Sequence, residues 1–77
     1  MKLNKEYNKE SKDYYLKMIT EKFAYDLYLD RKFHNNNSVE IIWNTCINSG
    51  WIISNKEKEM IFKEAFDIAN KKYNLQI

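Results

Sequence analysis

Cys46 and His34 are the only thiol and the only imidazole in the chain, so nucleophilic or metal chemistry would have to start from one of them. A cysteine nucleophile needs a base within hydrogen-bond reach and a third group to orient that base. A structural zinc needs a set of about four Cys and His ligands. Two such residues cannot make that ligand set, and Cys46, near the middle of the apolar face of Val39, Ile42, Trp43 and Ile47, reads as a buried structural thiol rather than a reactive one. His34 also stands among asparagines, Asn35-Asn36-Asn37, which marks a surface loop rather than a general base. Gly50 is the single glycine, which excludes a glycine-rich phosphate loop. The carboxylates lie within reach of a lysine on their own helical stretch, and none forms the isolated acidic pair used in acid/base work. No catalytic residue, metal site, cofactor or small-molecule substrate is therefore expected, and the chain reads as a non-enzyme.

Basic residues next to amides could instead read nucleic acid. A turn around Gly50-Trp51-Ile52-Ile53 between two helical stretches has helix-turn-helix spacing, and Asn55, Lys56 and Lys58 would then face base edges. Against this, residues 1–22 carry six lysines beside four acids and residues 55–77 carry five beside four, with a net charge of +2 overall. Such mixed runs are usually solvated helix faces. A small helix-turn-helix regulator is kept as the alternative reading. Single-stranded RNA stacked on Tyr14, Tyr15, Tyr25 and Tyr28 ranks below it, because Asp13, Glu21, Asp26 and Asp30 are interleaved.

The elements that would position these residues are helices. The chain has one glycine and no proline, whereas hairpins and sheet corners rely on glycine-containing turns. An all-α fold, a small three-helix bundle with a long first helix, is the expectation for a single domain of residues 1–77, with 1–10 frayed. The first helix spans about 11–33, or begins near Asn4. The second begins at Ser38 as N-cap and stops at Gly50. The third covers about 55–73 behind Ser54-Asn55-Lys56-Glu57, the serine-x-x-glutamate form of a capping box. An α+β alternative pairs a short strand at 39–43 with another at 51–53, but three residues make a poor strand. Aromatic and aliphatic residues set the core: Trp43, Ile47, Phe62, Phe66 and Ile68 are expected to be largely buried, with Cys46 as an inert buried thiol.

The first helix is unusual in carrying two apolar stripes. Tyr15, Leu16, Ile19, Phe23 and Leu27 make the natural core face, while Tyr14, Met18, Tyr25, Tyr28 and Leu29 lie on roughly the opposite side. Two shorter helices can cover one stripe and hardly both, and large exposed apolar patches are uncommon on monomers. The second stripe is therefore the expected site of contact with a protein partner or a second copy. No run of apolar residues reaches the length of a membrane span, the start lacks the apolar core of a signal peptide, and a lone cysteine fits a reducing compartment. A cytoplasmic protein without membrane contact is expected. Lysine, asparagine, isoleucine and tyrosine dominate the composition, the bias of AT-rich coding. Short helical products of phages and mobile elements often act by occupying a surface of a host or defence complex. By that analogy of class, an inhibitor of anti-CRISPR type is the functional expectation, with a structural homo-oligomer such as a dimer as a further alternative.

Overall fold

A computed structural model of the chain describes residues 8–47 and 52–76. It contains three helices in the order α1 (Asn8–Lys32), α2 (Val39–Cys46) and α3 (Asn55–Tyr73), and no strand among the described residues. The fold is all-α, and the α+β alternative fails because residues 39–46 are helical. Their alternation at Val39, Ile41 and Trp43 is short, and Ile42 and Cys46 join Trp43 in a helical rather than a two-fold pattern of burial. Trp51, the start of the other expected strand, lies outside the described residues, as does Gly50.

Each helix has a definite local start or stop. At α3, the Ser54 side chain accepts the Glu57 backbone N–H at 3.1 Å, and the Ser54 N–H donates to Glu57 Oε1 at 2.9 Å. That is the reciprocal capping box the sequence signals. At α2, Ser38 Oγ accepts the Ile41 N–H at 3.2 Å. This helix ends at Cys46, earlier than a stop at Gly50 would place it, with the Ile47 N–H still bonded to the Trp43 carbonyl. α1 closes in a Schellman motif. His34 takes the left-handed conformation with φ 56°, its N–H donates to the Arg31 carbonyl, and the Asn35 N–H donates to the Asp30 carbonyl. Asp30 Oδ1 then accepts the Asn37 N–H at 3.2 Å and fixes the loop to α2. Asn74, also left-handed at φ 57°, ends α3 and turns Leu75 into the core.

α1 and α3 run in the same direction. Lys12 pairs with Glu57 near their starts at 3.4 Å, Phe23 meets Phe62 and Phe66 at mid-length, and Tyr28 stacks on Tyr73 near their ends. α2 packs on α1 as well, but the backbones of α2 and α3 do not approach within 8 Å of each other among the described residues. The two are joined through side chains, with Trp43 edge-on to Phe62 at 5.3 Å and Lys58 paired to Glu40 at 3.2 Å.

The centre of the core is Phe23, fully buried at 0% exposure and ringed by Trp43 at 5.4 Å, Phe62 at 4.9 Å and Phe66 at 6.3 Å. Ile19, Leu27, Ile42, Cys46, Ile61, Ala65 and Ala69 are buried around it. Of the core residues expected from sequence, Trp43 is buried, while Ile47, Phe62, Phe66 and Ile68 are only partly so. The reason is geometric. At 1.5 Å per residue the eight-residue α2 is about 12 Å long, and it can cover only a fraction of two helices of about 28 and 37 Å.

Candidate functional site: the outer face of α1 and its border with α3

The second stripe of α1 divides in two. Tyr14, Met18 and Tyr25 are 66%, 50% and 46% exposed. At 100° per residue they fall within about 40° of one another, so they form one narrow line along the helix. Tyr28 and Leu29 are half-buried. Tyr28 stacks on Tyr73 with centroids 4.6 Å apart and planes 15° from parallel, and Tyr25 leans on the same pair at 6.0 and 5.9 Å. Tyr28 is thus a contact between helices first, and the freely presented part of the stripe is Tyr14 and Met18. The sequence could not reveal this, because helical periodicity assigns a face and not the distance to the next helix.

Beside this line runs a seam between α1 and α3. A hollow of about 330 Å³ is floored by Leu16, Thr20, Ile61 and Ile68, with Met60 on its edge. Met60 is 62% exposed. A second hollow, lined in part by Met18 and Tyr73, shares Glu21 and Ile68 with the first, so stripe and seam are continuous. Around the first hollow stand Asp13, Glu21, Glu57 and Glu64, with Lys17 the one cation among the described residues of the lining. The backbone N–H of Ser54, and then Lys12, hold the Glu57 carboxyl below the usual carboxylate range, which keeps it charged. Sequence reading missed this site. The four acids come from two helices and are each balanced by lysines along the chain, so their grouping appears only in space.

The residues considered for chemistry are used structurally. Cys46 is buried, and its Sγ–H donates to Asp26 Oδ2 at 3.0 Å. Burial, and then the hydrogen bond to Asp26, push its pKa up to about 12. A thiol held in its protonated form is a poor nucleophile. Asp26 Oδ2 also accepts from Lys22 Nζ at 2.9 Å, and that bond raises the Lys22 pKa. His34 is an exposed residue spent on the left-handed cap of α1. No group of three or more His, Cys, Asp or Glu among the described residues is placed to hold a metal ion. No helix among them is long and apolar enough to cross a membrane.

The residues of the nucleic-acid alternative also separate. Asn55 and Lys56 are exposed at the start of α3. Lys58 is engaged within the fold, paired to Glu40 and lying over the Phe62 and Trp43 rings at 5.4 and 6.0 Å. A helix-turn-helix packs its two helices against each other, with the second free to enter the major groove. Here no α2 Cα lies within 8 Å of an α3 Cα among the described residues, and the two helices meet through side chains such as Trp43 and Phe62. No protein family, no curated protein and no solved structure matches the chain.

Proposed function

We propose that this chain is a non-enzymatic binding module whose outer α1 face, centred on Tyr14 and Met18, makes contact with another protein. One observation carries the reading: Tyr14, Met18 and Tyr25 stand at least 46% exposed in a single line on a rigid helix, continuous with an open apolar seam. Tyrosine and methionine are enriched at the centres of protein interfaces, and both bury large area on contact. A 25-residue helix closed at its C-terminal end presents that line with little ordering cost. So small a module acts by occupying a surface of a larger protein, which is the mode of an inhibitor.

The test is a Tyr14→Ser, Met18→Ser double variant. Both side chains are half or more exposed, so the helical circular-dichroism signal and the melting temperature should stay near those of the unaltered protein. Sedimentation velocity and affinity capture from the native host should then show the loss of every association the unaltered protein makes. A variant that keeps all of its associations would sink the reading.

A further inference from the structure

We propose that the seam between α1 and α3 receives an amphipathic helix of basic character from the partner protein. This rests on protein contact being the function, and it names the chemistry of the partner. Three features lead there.

The first is the shape. α2 contributes no side chain to the hollow lined by Leu16, Ile61 and Ile68, so among the described residues the α1/α3 pair is packed by a helix on one side and open on the other. A seam between two helices is a groove for the ridges of a third, and an apolar groove of this kind is the usual seat of an amphipathic helix. From Glu57 to Ile68 the α3 wall runs twelve residues, a rise of about 16 Å or three turns. An occupant of three to four turns with apolar residues at i, i+3 or i+4, and i+7 matches that length.

The second feature is charge. The chain as a whole carries +2, yet among the described residues four carboxylates and one lysine line this hollow, and with Glu57 paired to Lys12 the three others still outnumber Lys17. Asp13, Glu21 and Glu64 are exposed on its lips, where the lysines or arginines flanking the apolar stripe of an incoming helix would lie. Charge complementarity of this sort steers association and rejects the wrong partners. It repels nucleic acid and acidic helices alike.

The third concerns a second copy of the chain as occupant. A two-fold dimer through this face brings the same patch of each protomer together. The acidic lips of one copy would then face those of the other. The seam therefore suits a different protein.

The experiment uses the full chain and three fluorescein-labelled helical peptides of about eighteen residues. One has leucines at i, i+3, i+4 and i+7 with lysine flanks, one has the same leucines with glutamate flanks, and one has lysine flanks with serines replacing the leucines. Fluorescence anisotropy should show the leucine–lysine peptide binding about tenfold or more tighter than either control, and weakening several-fold between about 50 and 300 mM salt. Glu21→Lys with Glu64→Lys, both exposed and so compatible with folding as checked by circular dichroism, should transfer the preference to the glutamate peptide. Equal binding of the two charge types, binding of neither, or a preference that the double reversal leaves unchanged would overturn the proposal. So would a wild-type dimer, seen by sedimentation equilibrium, that the double reversal dissolves. Failure here is separable from failure of the contact function. If the Tyr14→Ser, Met18→Ser variant loses its associations while no peptide enters the seam, the contact function stands and the groove assignment falls.

Discussion

Replacing Phe23 by alanine should be the most damaging single truncation in the chain, and clearly worse than the same change at Phe66. Phe23 is fully buried and touches three aromatic rings contributed by both other helices. Removing a phenylalanine from such a site costs about 3–5 kcal/mol, the transfer term plus the cavity left behind. The ring pairs, worth about 0.5–1.5 kcal/mol each beyond their area, push Phe23 towards the upper end. Phe66 is partly buried, with ring neighbours only at 6.3 and 5.9 Å, and its open side lets solvent or neighbours fill the gap. About 2–3 kcal/mol is expected there. At about 0.05–0.15 kcal/mol per residue, the whole 77-residue fold has roughly 4–12 kcal/mol to lose. Phe23→Ala should therefore be largely unfolded or close to it, and Phe66→Ala folded with a melting temperature lowered by roughly 10–20 °C. Urea titrations followed by circular dichroism measure both. If Phe23→Ala is too unstable to titrate, Phe23→Leu and Phe66→Leu give the same ranking on a smaller scale. Equal costs at the two positions, or a Phe23 variant that melts like the parent, would refute the placement of the core.

Three further outcomes follow from the same geometry. Ser54→Ala should cost about 1 kcal/mol through loss of the cap; because the Glu57 pKa is lowered on folding, its stabilisation is present above the ordinary carboxylate range and is lost as pH falls from there through the lowered folded-state value. Glu57→Gln, which keeps the cap, should therefore show a shallower loss of stability in acid titrations read by circular dichroism. The Cys46 pKa is raised from 9.0 to about 12, so its contribution is intact below about pH 9 and is lost as pH rises from there towards 12; Cys46→Ala should flatten that alkaline limb, and the native thiol at pH 8 should react with a disulfide reagent far more slowly than in urea. Tyr28→Ser should lower the melting temperature by removing the stack on Tyr73, whereas Tyr14→Ser should leave it nearly unchanged, and equal effects would show that Tyr28 does not bridge the helices.

What the sequence made legible was local. Ser54 with Glu57, and Ser38 before an apolar stretch, are signals read by the backbone of the next turn, and both are made as expected. The absence of proline and the single glycine leave few other ways to fold, and three helices follow. What stayed hidden depends on distance between elements. Cys46 and Asp26 are twenty positions apart, and nothing along the chain pairs a thiol with a carboxylate. His34 reads as a loose loop residue, yet its backbone closes α1, a left-handed role that histidine accepts more readily than most side chains. Phe62 and Phe66 read as core because they share a helical face with Ile61 and Ala65. In the fold, α3 points its small residues Ala65 and Ala69 inward and leaves the rings at the border.

That inward use of alanine bears on the open seam. Ala24 on α1 and Ala65 and Ala69 on α3 are all fully buried at 0% exposure, and small residues at a helix contact let two axes approach closely. A close approach buries the backbones well but pushes larger side chains to the two flanks of the contact. One flank is filled by Phe23, Trp43 and Phe62 where α2 sits. The other flank receives the half-buried Leu16 and Ile68 beside the buried Ile61, with no third helix above them among the described residues. Among the described residues the α1/α3 contact is thus covered by a helix on one side and open on the other, and a partner seated there as proposed would add to stability. A ligand that binds only the folded state at a hundred times its Kd contributes about 2.7 kcal/mol. Set against a total of roughly 4–12 kcal/mol, that is a large share, so a partner bound in the seam as proposed would link its occupation to persistence of the fold.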